Sequence, residues 1–122
     1  MTKTPSAELW IKVNLPGVGQ VGPGKINLLR QIRERESISG AARAMNMSYR
    51  RAWLLVAELN KLFAKPLVET WAGGKTRGGA SLTKLGEKLI ENYDAVVERA
   101  TRANQALLGE IARSANRDYS ES

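Results

Sequence analysis

The sequence contains no cysteine and no histidine. Those two absences exclude thiol nucleophiles, disulfides, cysteine or histidine zinc sites, imidazole bases and the Ser-His-Asp triad. No apolar run approaches the roughly 18 residues of a membrane span, and no apolar signal-peptide stretch opens the chain. A cytoplasmic, membrane-free protein is therefore expected. Acidic residues are also few: 12 against 19 lysines and arginines, a net charge of +7 in 122 residues. No acid–base or metal constellation is apparent, so neither an enzyme nor a cofactor or metal site is expected.

The positive charge is unevenly spread. Residues 1–36 carry a net +3, residues 37–84 a net +6 and residues 85–122 a net −2. A basic middle suits a polyanion, because each phosphate neutralised releases condensed counterions. Charge alone equally describes a solvated basic protein. The acidic last third does not belong on a polyanion-binding surface.

Periodicity divides the chain into short elements. Residues 9–15 (LWIKVNL) read as a strand, and the Gly/Pro-rich stretch 16–25 as a loop. Ile26, Leu29 and Ile32 recur at helical spacing and predict a helix over 24–36, with Pro23 tolerated at its start. Ser39 is the expected N-cap of a short helix over 40–45. Asn46-Met47 provides a tight connection, since Asn tolerates the left-handed region. Ser48 caps the next helix, 49–63, whose inner stripe is Ala52, Val56, Leu59 and Phe63 and whose outer face carries Arg50, Leu54, Ala57 and Lys61. Lys65-Pro66 ends that helix. Residues 67–71 and 80–82 read as a strand pair around a Gly-rich tip. Thr83 then caps a helix running to about residue 112, roughly 45 Å long. Leu85 and Leu89 are expected to pack on the domain, while the stripe Val96, Ala100, Ala103, Leu107 and Ile111 has nothing left to cover it. A second copy of the helix would do so, which predicts a homodimer. The tail from Arg113 is polar.

Two short helices, a tight turn and a basic two-stranded ribbon describe a winged helix-turn-helix, mainly α with a small β-wing. The expected divisions are 1–82 for the winged helix, 83–113 for the dimerisation helix and 114–122 for the tail. The expected partner is double-stranded DNA. In this arrangement the second helix lays its N-terminal end in the major groove. Ala41, Ala42 and Ala44 let the first helix pack close, with Met45 and Met47 filling the gap. Candidate DNA contacts on the second helix are Ser48, Tyr49, Arg50, Arg51 and Lys61, with Trp53 either packing at the rim or touching a sugar. Arginine pairs bidentately with guanine or grips phosphate. The wing adds Lys75, Thr76 and Arg77 between glycine pairs. Gly74-Lys75-Thr76 also ends a nucleotide-binding P-loop pattern, but that pattern needs glycine where Glu69 stands, and a strand–helix junction where two strands flank the tip. A helical protein-interaction module and an architectural DNA-binding protein remain the rival readings.

The run 25–93 resembles the N-terminal domain of the molybdate-dependent transcriptional regulators (ModE), which are similar to the DNA-binding domain of LysR-type regulators. The likeness rests on Ser37-Ile38-Ser39-Gly40-Ala41-Ala42, Met47-Ser48-Tyr49-Arg50-Arg51-Ala52-Trp53, Leu59-Asn60, Leu67-Val68-Glu69-Thr70, Gly73-Gly74-Lys75, Gly78-Gly79-Ala80 and Leu82-Thr83-Lys84-Leu85-Gly86. It implies dimerisation through the N-terminal strand region and the long helix. It also implies DNA contacts from Ser37 and Ser39, from 48–53 and from the wing. Those regulators sense molybdate through further C-terminal β-domains. No strand-rich segment follows residue 113 in this sequence, so no molybdate site is expected within it and the effector is left open.

Overall fold

The computed structural model describes residues 6–72, 78–115 and 118. The order is β1 (Val13–Leu15), β2 (Gly19–Val21), α1 (Pro23–Arg35), α2 (Ile38–Ala44), α3 (Tyr49–Leu62), β3 (Val68–Trp71), β4 (Gly79–Leu82), α4 (Lys84–Ala103) and α5 (Gln105–Ser114). It is a mainly α winged helix with two separate antiparallel hairpins, β1–β2 and β3–β4.

The core gathers around α1. Ile26, Leu28, Leu29 and Ile32 are wholly buried, and α1 touches α2, α3, α4 and β4. Pro23 starts the helix, where its missing N–H costs nothing. Glu36 ends it in the left-handed conformation (φ 53°), donating its N–H to the Ile32 carbonyl.

The N-terminal region differs from the single strand expected over 9–15. Only Val13–Leu15 is strand, and it pairs with Gly19–Val21, inside the stretch read as loop. Leu15, Pro16, Gly17 and Val18 form the turn between them, closed by a 2.9 Å bond from the Val18 N–H to the Leu15 carbonyl. Proline at the second position and glycine at φ 78° in the third are the residues a type II turn requires. Val21 then reaches the core.

The first helix of the motif also begins earlier than expected. Ser37, not Ser39, is the N-cap: its Oγ accepts the Gly40 N–H at 3.0 Å. Starting the helix at Ile38 turns that side chain into the core, where it is 6% exposed. Ser39 becomes an ordinary first-turn residue. Ala41 and Ala42 are buried as expected, whereas Ala44 faces solvent. Asn46 takes the left-handed conformation (φ 54°) in the connection.

In α3, Ser48 Oγ accepts the Arg51 N–H at 3.1 Å, and Ala52, Val56 and Leu59 form the buried stripe. Phe63 has left the helix; it is the extended C-cap, half-buried against the core. The wing pairs Val68 with Leu82, Glu69 with Ser81, Thr70 with Ala80 and Trp71 with Gly79.

The long C-terminal helix is two helices. Asn104 stands between α4 and α5 at φ −117°, ψ 20°. Its side-chain amide donates to the Ala100 carbonyl at 2.6 Å, and its own N–H bonds Thr101, one residue short of the α-helical partner. The side chain occupies a carbonyl that the helical ladder would otherwise use, which interrupts the helix. Thr83 caps α4 through the Gly86 N–H. Gly86 lies so close to the wing root that a Cβ there would meet the Leu67 carbonyl at 2.4 Å. Gly86, Ile90 and Tyr93 are the buried positions of α4. Leu89 packs partly against them, while Leu85, expected in the core, is 36% exposed. Packing on α1 and the wing root rotates the inner face toward 86, 90 and 93, and Leu85 falls beside it.

Across the α1–α4 junction, Arg30 grips Asp94 through both carboxylate oxygens, Nη1 donating to Oδ2 at 2.8 Å. Tyr93 Oη donates to the Ile11 carbonyl at 2.7 Å and ties the N-terminal segment to α4. The Arg30 hydrogen bond holds the Asp94 carboxyl below its usual range, against the opposing effect of burial. A lowered carboxyl pKa adds stability above the unfolded value, lost as pH falls through the folded one. Both side chains are well exposed, so the pair contributes under about 1 kcal/mol. Asp94→Asn should lower the melting temperature slightly at pH 7, and the gap to wild type should close below about pH 4. Parallel thermal melts across that range check it.

Candidate nucleic-acid interface

The N-terminal end of α3 projects from the body. Tyr49 is 56% and Trp53 50% exposed, and Ser48, Arg50 and Arg51 are exposed beside them; Lys61, also exposed, lies at the other end of the helix, in its last turn. The Ser48 hydroxyl takes one of the free N–H groups at this helix end, which is also the positive end of the helix dipole. Nothing acidic lies in the first turn.

Some cations have carboxylate partners and others, among them Arg35 of α1 and Arg99 of α4 as well as those of α2 and α3, have none among the described residues. Lys25–Glu58, Arg30–Asp94, Arg33–Glu87, Lys88–Glu91 and Arg102–Glu98 are the ion pairs among the described residues. They lie on α1, on α4 and at the back of α3. Arg43, Arg50, Arg51 and Lys61 pair with no carboxylate among the described residues. Among the described residues the cations of α2 and α3 thus have only counterions for partners, which a polyanion would displace.

The wing is fixed to this surface from two sides. Asn60, near the end of α3, accepts the Leu67 N–H at 2.8 Å and the Val68 N–H at 3.0 Å on one oxygen. Its amide donates back to the Val68 carbonyl at 3.1 Å. At the other strand, the Ala80 N–H bonds the carbonyl of left-handed Glu36 at 3.1 Å. The second helix and the wing thus share one rigid frame. Between them lies an open cleft of about 1190 Å³, bordered by the end of α1, the start of α2, Tyr49, Trp53 and the wing root.

Ser37 and Ser39 border that cleft, but both are half-buried and the Ser37 oxygen is engaged in capping. Lys75, Thr76 and Arg77, expected at the wing tip, lie outside the described residues. Three residues join the site that sequence reading did not single out for it: Arg43 and Trp71 on the cleft, and Asn60 as the wing's anchor. Arg43 had a signal, being a lone cation on the outer face of an otherwise small-faced helix. No group of three or more potential metal ligands occurs among the described residues, and no helix there is long and apolar enough to cross a membrane.

The expected dimerisation residues are distributed over both C-terminal helices. Val96, Leu107 and Ile111 are 48%, 60% and 63% exposed; Ala103 is exposed and Ala100 half-buried. The Asn104 break separates Leu107 and Ile111 from the α4 members.

Residues 24–87 match the family described as bacterial regulatory helix-turn-helix protein, lysR family. Over 96 residues the chain is 40% identical to the molybdenum-pterin-binding protein MopA of Rhodobacter capsulatus, covering 79% of this chain and 36% of that protein. It is 38% identical over 101 residues to the transcriptional regulator ModE of Yersinia pestis, covering 83% and 38%. With the DNA-binding transcriptional dual regulator ModE of Escherichia coli K12 it shares 36% identity over 110 residues, covering 90% and 42%. The chain therefore spans well under half the length of these relatives.

Proposed function

The chain belongs to the lysR family of bacterial regulatory helix-turn-helix proteins, and on that premise we propose that it is a sequence-specific DNA-binding transcriptional regulator acting as a homodimer in the cytoplasm. The observation that carries this reading is the capped, acid-free start of α3, with Arg50 and Arg51 paired to no carboxylate among the described residues, beside a wing anchored to the same helix. Occupancy is the mechanism: the bound protein blocks or recruits polymerase and performs no chemistry on the DNA. Relatives named as a molybdenum-pterin-binding protein and a molybdenum transport protein support genes of molybdenum handling as the regulated class.

The uncovered apolar residues Val96, Leu107 and Ile111 support the dimer, since a helix pair would remove them from water. Two copies would present two α3 helices to half-sites about 34–36 Å apart. Band shifts with the DNA upstream of its own gene, against unrelated DNA across a salt series, test the reading. Affinity for the upstream DNA should exceed the other by ~10³-fold or more. Equal affinity at every salt concentration would leave only a non-specific binder.

A further inference from the structure

By sequence Trp71 is one more strand residue. In the structure it is 48% exposed at the root of the wing and borders the same cleft as Trp53 and Tyr49. Its position is built in. Trp71 pairs with Gly79 across the hairpin, and a Cβ on Gly79 would meet the indole Cζ2 at 2.3 Å and Cε2 at 2.6 Å. Gly79 does not have a positive φ, so the ring, not the backbone, demands glycine there. The indole rests on that glycine and keeps nearly half its surface open.

The cleft is not itself a phosphate trap. Glu34 and Glu36 face it together with Arg35 and Arg43, so its charges balance. What it offers is a rigid apolar plate, Trp71 with Trp53 and Tyr49, beside the charged margin that Arg50 and Arg51 make at the start of α3. A DNA strand running from that margin towards the β3–β4 strands brings its sugars, not only its phosphates, over the plate.

We propose that Trp71 packs against a deoxyribose of the operator strand that crosses from α3 to the wing, an uncharged contact that raises affinity without releasing a counterion. It rests on the DNA-binding reading above. Salt dependence separates such a contact from phosphate binding: losing one phosphate contact lowers the slope of log K on log salt by ~0.9, whereas losing an apolar contact leaves the slope unchanged.

The test uses a duplex that the wild-type protein selects from a random pool, with affinities measured across a salt series. Trp71→Ala should bind roughly tenfold more weakly at every salt concentration, with the wild-type slope, the size expected for uncovering one face of an indole. Trp71→Phe should recover most of the loss. Arg50→Ala is the comparison whose affinity falls, with a flatter slope if it grips phosphate. Thermal melts confirm that each variant is folded, and Trp71→Leu replaces the alanine variant if that one is not. Wild-type affinity in Trp71→Ala, a flattened slope, or a phenylalanine variant as weak as alanine would each overturn the proposal. Should the wild-type protein enrich no sequence, the regulator reading itself fails, and the Trp71 contact with it.

Discussion

Replacing Arg50 and Arg51 together by alanine should weaken specific DNA binding by ~2–5 kcal/mol while leaving the melting temperature almost unchanged. Each base-reading arginine contributes about 1–3 kcal/mol, and a phosphate-gripping one also lowers the salt slope. The two side chains are exposed and carry no ion pair among the described residues, so the folded protein loses nothing by their removal. The Arg51 N–H that Ser48 caps belongs to the backbone and survives the substitution. Binding titrations at several salt concentrations, with a thermal melt of the same sample, separate the two effects. Full binding by the double variant would remove the start of α3 from the interface.

Asn60→Ala should cost about 2–4 kcal/mol of stability and abolish specific binding. One side chain satisfies two backbone N–H groups and one carbonyl at the junction of α3 and β3. Leu67 and Val68 are 0% and 3% exposed, so these groups have little access to water once the amide is gone, and an unpaired buried donor costs ~1–3 kcal/mol. The loss also reaches the site. The wing keeps its tether to Glu36, its link to α4 and the core packing of Val68 and Ala80, but without the Asn60 bonds its root no longer holds a fixed position beside α3. Asn60→Asp, which keeps an acceptor for both N–H groups, should recover part of the stability. Denaturant unfolding of the three proteins gives the energies, and band shifts give the coupling to DNA. A neutral alanine variant would mean that the hairpin register alone positions the wing.

What could be read from the sequence follows from how local each signal is. The α3 stripe and its Ser48 cap depend on neighbours within four residues; the cap and Ala52, Val56 and Leu59 are present as expected, while Phe63, the last member of the stripe, falls outside the helix. The choice between Ser37 and Ser39 is not local. Both serines are good caps, and the burial of Ile38 against the core decides between them. The β1–β2 hairpin leaves little trace in the sequence because its strands are three residues each, too short for alternation to show, and its second strand lies among glycines. The break at Asn104 was hidden because apolar residues continue through it; only the side-chain bond to Ala100 reveals it. Trp71 became meaningful once strand register set it against Gly79.

Selection from a random duplex pool, followed by footprinting of the winning duplex, shows whether this surface reads DNA sequence. An enriched, inversely repeated sequence is expected, with two protected half-sites about 10 bp apart from centre to centre and protection lost in the Arg50/Arg51 double variant. A pool that stays random, or a single asymmetric footprint that survives removal of both arginines, would contradict it.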